Sequence, residues 1–161
     1  QRGHVEVYLR RTHLLVSLGS LERARSGLLE GIDRMGGAVL LRSELIAICR
    51  SVGATDCALE QVSAILTQAR VQTRWLLVQA EIFDTIDRSE AARLARHEAL
   101  RQATERVEHR GAATALIDRA QVYLALDNTD AAEADLLRAR RLLRGHYGKE
   151  AVNALLEEVR R

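Results

Sequence analysis

The pattern closest to a catalytic motif in this sequence is HEALR, at residues 97–101. It begins as the zinc-protease pattern H-E-x-x-H does, but Arg101 stands where a second histidine would complete the i, i+4 ligand pair. The five histidines are scattered without ligand-like spacing. The segment GLLEGIDRMGG contains neither of the phosphate-binding motifs G-x-x-x-x-G-K-[ST] and G-x-G-x-x-G. The sequence also has no G-x-S-x-G motif, which would mark a nucleophilic serine. We therefore expect no catalytic residue, no metal site and no cofactor, and we predict that the chain is not an enzyme.

The two cysteines, Cys49 and Cys57, form no C-x-x-C pattern. So few cysteines suit a reducing compartment, and we expect free thiols and a cytoplasmic location. No apolar run approaches the roughly 18 residues of a membrane span, and the N-terminal segment lacks a signal peptide's apolar stretch. Because the sequence starts at Gln1 instead of Met, we expect it to be an excerpt of a longer protein.

Charged residues are abundant but nearly balanced. There are 24 Lys and Arg residues against 22 Asp and Glu residues, which leaves a net charge of +2. The densest basic stretch consists of Arg138, Arg140, Arg141, Arg144, His146 and Lys149. It closes a predicted helix, where basic side chains complement the negative end of the helix dipole, and it has few aromatic neighbours to stack on bases. We predict no direct binding to nucleic acid and none to membranes.

Helices must position whatever surface this chain uses. Proline is absent, and no period-two alternation indicates strands. Four segments share the order helix, break, helix, with breaks at Gly19, Gly53, Asp87 and Asp127, at intervals of 34, 34 and 40 residues. The longer interval predicts an extended second helix in the third segment, ended by Gly111. Small and apolar residues recur at helical spacing in each segment, which indicates an all-α protein built from helical hairpins.

These repeats resemble those of the tetratricopeptide repeat (TPR) family, whose unit is 34 residues long. The first segment meets the family positions with Tyr8, Thr12, Leu15, Gly19, Ala24, Leu28 and Gly31. Later segments depart from the family at Ile46 and Arg96, and aspartate twice replaces the turn glycine. The resemblance implies a right-handed α-α superhelix, a TPR-like solenoid of about four helical hairpins. It also implies one domain over 1–161, with repeats at about 5–38, 39–72, 73–112 and 113–146.

The two ends of such a solenoid need covering, because a terminal repeat would otherwise leave its apolar face in water. At the C-terminus we predict a capping helix over 148–161, with Ala151, Leu155, Leu156 and Val159 on its buried side. The N-terminal end has no comparable cap. Two explanations stay open: the first helix is polar enough by itself, or a preceding element is missing from this sequence.

The resemblance also implies a concave groove lined by the first helices, which would bind a protein or peptide partner. The groove would present Glu6, Leu9, His13, Leu40, Arg50, Arg74, Leu77, Glu81, Asp84, Ile117, Gln121 and Leu124. Apolar residues are interleaved there with charges of both signs, which is typical of a surface that a partner segment buries. Some of them could instead face a neighbouring helix or a second copy of the chain, so a homo-oligomer is compatible with the sequence.

One TPR subtype binds acidic chaperone tails with a clamp of Lys, Asn, Asn, Lys and Arg. The matching positions hold Leu9, His13, Glu44, Arg74 and Val78, so we do not expect this activity. The leading hypothesis is a non-catalytic scaffold that binds a peptide or helix of a partner. The alternative is a regulatory or sensor domain of a larger signalling or transcription protein, because the 40-residue spacing is similar to the looser repeats of bacterial ATP-binding transcription activators.

Overall fold

A computed structural model of the chain describes residues 2–160, with side chains described at 4–109, 111–145 and 148–160. Over this range it has nine α-helices and no strand. They are α1 (Arg2–Ser17), α2 (Leu21–Arg34), α3 (Val39–Ser51), α4 (Thr55–Leu66), α5 (Thr73–Asp84), α6 (Ser89–Arg110), α7 (Ala113–Ala125), α8 (Thr129–Leu142) and α9 (His146–Val159). None of the described helices is long and apolar enough to cross a membrane. The predicted all-α class is confirmed.

The chain divides into two compact units, residues 1–69 and residues 70–161. In the first unit, α1 packs against α2, α3 packs against α4, and α2 and α1 both contact α3. In the second unit, α5 packs against α6 and α7 against α8, while α6 contacts α7 and α9 closes on α8. Each unit therefore contains two helical hairpins, and the second adds a final helix. The single domain over 1–161 stays a prediction.

The four predicted breaks share one backbone conformation. Gly19 and Gly53 have φ of 70° and 69°, and Asp87 and Asp127 both have φ of 56°. Aspartate adopts this left-handed region more readily than most residues, because its short polar side chain can hydrogen-bond locally. The two aspartates thus replace the turn glycines without changing the turn. The helix extension in the third hairpin is also confirmed, since α6 is 22 residues long and ends at the left-handed Gly111.

Small residues allow the paired helices to approach each other closely. Ala80, Ala92 and Ala95 form a buried cluster between α5 and α6, and Phe83 packs against it. In the first hairpin, a Cβ on Gly31 would lie only 2.9 Å from the Tyr8 ring. In the fourth, the predicted inward positions are all buried or half-buried: Leu116, Ala120, Tyr123, Ala132, Leu136 and Ala139. The helical periodicity therefore predicted the core of the fourth hairpin correctly.

The final helix covers the end of the second unit. Val152 and Leu156 are buried in a cluster with Ala120, Ala132 and Leu136. Half-buried Leu155 and Val159 pack against the same cluster, as the sequence predicted. The prediction for Ala151 is wrong, because that residue is exposed. The i, i+4 spacing of the larger Val152 and Leu156 sets which face turns inward, and this leaves alanine on the solvent side.

The expectation of free thiols is also wrong, because Cys49 and Cys57 are joined by a disulfide bond. Cys49 lies near the end of α3 and Cys57 near the start of α4, and the turn at Gly53 folds the two helices together. Their Cα atoms are 6.0 Å apart, within the usual range for a disulfide. The sequence spacing of the two cysteines matches no redox motif. They pair because the hairpin turn brings their two helices together. The cytoplasmic location stays a prediction, and it loses the support that free thiols would have given it.

Candidate functional site

On the first unit, three predicted groove residues come together on one surface. Glu6 and Leu9 lie one helical turn apart on α1, and Leu40 lies in the first turn of α3. Because α1 contacts α3, their side chains line a common cavity of about 740 Å³. The remaining lining residues are Val5, Arg34, Met35, Gly36, Ala38 and Val39. The cavity is thus apolar, with one acid and one base at its border.

The other two predicted residues of this unit lie outside the lining of that cavity. His13 is one turn further along α1, and its Nε2 lies 3.6 Å from Glu44 Oε2 on α3. Arg50 is exposed in the last turn of α3, about 15 Å along the helix from Leu40. His13 and Glu44 occupy two positions of the chaperone clamp, so a carboxylate stands where that clamp has an amide.

Sequence reasoning missed the part of the cavity that comes from the link between the hairpins. Met35 caps the C-terminus of α2, Ala38 caps the N-terminus of α3, and Val39 begins that helix. The two intervening glycines both have positive φ, 63° at Gly36 and 80° at Gly37. The glycine pair was a visible signal for a tight turn, but the sequence could not tell which neighbouring side chains that turn would bring together.

On the second unit, the predicted groove residues lie on α5 and α7, which contact each other. Arg74, Glu81, Asp84 and Gln121 are exposed, while Leu77, Ile117 and Leu124 are half-buried. Ile117 and Leu124 pack against the cluster beneath α9, so part of their apolar surface already belongs to the core. The apolar character of this face is therefore weaker than the sequence suggested.

Two of the charges on this unit are held by neighbouring side chains. Arg96 on α6 donates to Asp84, so this predicted groove acid is paired within its own hairpin. The contact gives the Arg96 guanidinium a partner at the position where the family has a large apolar residue. The guanidinium of Arg74 lies over the ring of Trp75, 5.4 Å from its centroid. A partner that binds this face would therefore meet charged groups that already have contacts within the unit.

A two-fold hydrogen-bonded ion pair joins α7 and α8 in the second unit. Arg119 donates two hydrogen bonds to Asp135, of 2.6 and 2.7 Å, and the carboxylate is buried. This double hydrogen bond raises the pKa of Arg119 even though partial burial opposes its charge. Both groups serve the packing of the hairpin, because each satisfies the other away from water.

The HEALR segment has a structural explanation. Arg101 donates two hydrogen bonds to Glu98, of 2.8 and 2.6 Å, and a third of 2.5 Å to Glu105. The histidine of the segment, His97, is exposed on the same helix. Within the described part of the chain, no group of three or more His, Cys, Asp or Glu is arranged to hold a metal ion. In the basic stretch, Arg140 donates a hydrogen bond of 3.3 Å to Asn153 of α9, and the side chain of His146 lies outside the described residues.

Among known proteins, the chain resembles several solved structures. No family profile matches the sequence. No curated protein matches it either. Among solved structures, a tetratricopeptide repeat protein from Parabacteroides merdae is 20% identical with a TM-score of 0.53, over 98% of this chain and 60% of that one. TTC0263, a thermophilic TPR protein in Thermus thermophilus, is 19% identical with a TM-score of 0.58, over 96% of this chain and 80% of its own.

A third similar structure is that of the MamA protein, which is 14% identical with a TM-score of 0.55, over 99% of this chain and 87% of its own. This chain thus spans less than two thirds of the Parabacteroides protein and most of the other two. At these identities the likeness concerns the fold alone. Together with the hairpins and their left-handed turns, it shows that the chain has a TPR-like fold.

Proposed function

We propose that this chain is a non-catalytic protein-interaction scaffold, and that the first helices of its hairpins bind a peptide or helix of a partner protein. TPR-like folds generally serve this purpose, because stacked hairpins present an extended surface to a partner. The observation that carries the proposal is the cavity on the first unit. There Glu6, Leu9 and Leu40 were predicted from sequence as groove residues, and all three line one open, mostly apolar cavity.

The chemistry of this cavity supports an apolar anchor as its ligand. Leu40 is 61% exposed although it is a large aliphatic residue beside other apolar groups. Glu6 is engaged by Arg10 at 2.6 Å, and Arg34 lies 3.1 Å from Glu30, so both border charges have a counter-ion. A partner would therefore gain mainly by burying apolar side chains there, with about 1.5–3 kcal/mol for each large one.

The proposal predicts that Leu40→Asp removes partner capture. An introduced carboxylate would lie among apolar groups in the complex and would cost more than the lost burial alone. We expect retention of bound proteins from native lysate to fall about tenfold or more. The measurement is affinity capture with immobilised protein, followed by quantification of what is retained. Because Leu40 is exposed, we expect circular dichroism and the melting temperature to stay close to those of the parent.

The matched control is Leu94→Asp on α6, since Leu94 is 56% exposed but lies on a second helix. It should retain the same proteins as the unmodified chain. If Leu40→Asp and Leu94→Asp retain the same proteins in equal amount, the cavity is not the binding site. Ile117 is less suitable for this test, because it packs against two core clusters and its substitution would disturb the fold.

A further inference from the structure

The disulfide between Cys49 and Cys57 occupies a place that large side chains fill in the other hairpins. Cys49 lies four residues before Gly53, the left-handed turn residue of its hairpin. At the same place, the other three hairpins have Leu15, Phe83 and Tyr123. Cys57 lies four residues after the turn, where the third and fourth hairpins have Ala91 and Ala131. The second hairpin thus has a cysteine pair where the third and fourth have an aromatic residue and an alanine.

The aromatic residues at this place hold the turn ends of their hairpins together. Phe83 packs against a buried cluster of alanines from α5 and α6. Tyr123 packs against a cluster that contains alanines from both α7 and α8. A thiol is much smaller than an aromatic ring and makes fewer contacts with the facing helix. After reduction, Cys49 and Cys57 would therefore provide neither a covalent bond nor a large side chain at this place.

Further from the turn, α3 and α4 are held by apolar packing that does not involve the disulfide. Leu45 on α3 and both Val62 and Ile65 on α4 are fully buried. Breaking the bond therefore frees the end of the hairpin beside Gly53 and leaves the remainder packed. The sequence separation of the two cysteines is only 8, so closing the loop again costs little entropy. The bond can consequently form again after it has been broken.

The two cysteines differ in their access to solvent. Cys49 is fully buried, whereas Cys57 is half-buried in the first turn of α4. Thiol–disulfide exchange depends on such access, because the attacking thiolate must approach the sulfur with which it forms a bond. A reductant therefore reaches this disulfide from the side of Cys57.

We propose that Cys49 and Cys57 form a reversible redox site, that its reaction partner is an external dithiol, and that reduction loosens the turn end of the second hairpin. The cavity of the proposed function involves the N-terminal end of α3, through Ala38, Val39 and Leu40, whereas the disulfide lies at the other end of that helix. The redox site and the binding site can therefore be tested independently.

The reaction proceeds in two exchange steps. A thiolate of the dithiol attacks Sγ of Cys57, the bond between the two cysteines breaks, and Cys49 leaves as a thiolate that takes up a proton. The second sulfur of the dithiol, also as a thiolate, then attacks the mixed disulfide at the reductant's own sulfur. This closes a disulfide in the reductant and releases Cys57, which takes up a proton. The protein gains two electrons and two protons, and the dithiol loses them.

Amide hydrogen exchange of the unmodified chain, with and without excess dithiothreitol, tests the proposal. The reporters are the amides of Ala54 and Ala58, which donate hydrogen bonds of 2.8 and 3.1 Å to the carbonyl oxygens of Cys49 and Ala54. We expect both amides to exchange about tenfold faster or more after reduction, because the turn end opens locally. The amides of Leu45 and Val62 should change by less than about twofold. Replacing the dithiol with oxidised glutathione should restore slow exchange.

Three results of this experiment would overturn the proposal. The disulfide could resist excess dithiothreitol in the folded protein, which would make it a permanent structural bond. Exchange at Ala54 and Ala58 could be equal in the oxidised and reduced forms, so that reduction loosens nothing. Reduction could also unfold the whole first unit, and the change would then be neither local nor a property of the turn end.

The matched control gives the second hairpin the residues of the fourth, through Cys49→Tyr combined with Cys57→Ala. Exchange at Ala54 and Ala58 should be slow in this variant and should not respond to dithiothreitol. Cys57→Ala alone should exchange as the reduced chain does, under both conditions. If the double variant responds to dithiothreitol as the unmodified chain does, the cysteines are not the cause and the proposal is wrong.

The direction of attack is tested with a monothiol, which stops the reaction at the mixed disulfide. The unmodified chain is exposed briefly to excess reduced glutathione and quenched with acid, and its peptides are identified by mass spectrometry. We expect glutathione on Cys57 and a free thiol at Cys49. Glutathione attached mainly to Cys49 would overturn the assignment of Cys57 as the sulfur that is attacked.

Discussion

At the scale of single residues, two glycines of α2 show how differently one residue type is used. A Cβ on Gly31 would lie 2.9 Å from two atoms of the Tyr8 ring and 3.0 Å from Leu41 Cδ1. The atoms nearest to a Cβ on Gly27 would belong to the end of the flexible Arg11 side chain, at 3.7 Å. Close approach of the two helices therefore requires glycine at position 31. Gly27 bears the entropic cost of glycine in a helix without allowing such an approach.

We expect Gly27→Ala to stabilise the protein by about 0.5–1 kcal/mol, through helix propensity and a less flexible unfolded chain. Gly31→Ala should destabilise it by about 1–3 kcal/mol, because the Tyr8 ring must move within a packed core. Urea denaturation of both variants measures the two free energies of unfolding. Each variant is the control for the other, and changes of the same sign would contradict this account of the α1–α2 contact.

The disulfide between Cys49 and Cys57 gives a second prediction at this scale. It closes a loop with a sequence separation of 8, and the chain-entropy model gives a stabilisation of about 2–3 kcal/mol for so short a loop. We expect Cys57→Ala to lower the free energy of unfolding by this amount under oxidising conditions. With reductant present, the parent and the variant should become similar. If the denaturation midpoint of the parent is the same with and without reductant, the bond does not stabilise the hairpin.

At the scale of helices, the sequence predicted some features well because their causes are local. The intervals between breaks placed the turns, and the extra residues before the fourth hairpin correctly lengthened α6. The contacts of the arginines could not be predicted in the same way. Arg96, Arg106 and Arg119 each reach an acid 12 to 16 residues away, on a neighbouring helix. A long flexible side chain can reach several acids, and only the packed helices decide which one it meets.

The long helix α6 makes a prediction about pH. Hydrogen bonds from Arg101 and then Gln102 lower the pKa of Glu98 to about 2, although burial opposes this shift. Since the folded pKa is lowered, the stabilisation is complete above the unfolded value of roughly 4.3 and is lost as the pH falls towards 2. The Glu98 side chain is 41% exposed, so solvent screening reduces the contribution to about 0.5 kcal/mol.

We therefore expect Glu98→Gln to destabilise the protein slightly at pH 6 and to match the parent near pH 2. The neutral amide keeps the shape of the side chain but cannot attract Arg101 as a carboxylate does. Chemical denaturation at a series of pH values measures the difference between the two proteins. If that difference is the same at both ends of the series, the ionised form of Glu98 contributes nothing to stability.

At the scale of the whole chain, the first and last helices differ in how far their apolar residues are covered. The second unit ends in α9, which buries Val152 and Leu156 and turns polar residues outward. The first unit begins with Val7 and Leu14 in the open. The sequence predicted the C-terminal cap from its amphipathic pattern and left two explanations for the N-terminus. In the structure the exposed side of α1 is mixed, because Val7 and Leu14 stand there among charged and polar residues, and both explanations stay open.

The cap at α9 gives the last prediction. Val152→Asp places a charge in the cluster formed with Ala120, Ala132 and Leu136, so α9 should detach and leave that cluster in water. We expect the free energy of unfolding to fall by about 3 kcal/mol or more and the protein to associate as its concentration rises. Light scattering across a concentration series measures the association. Ala154→Asp, on the exposed side of the same helix, is the control and should leave both properties unchanged. A monomeric, fully stable Val152→Asp protein would mean that α9 does not protect the end of this unit.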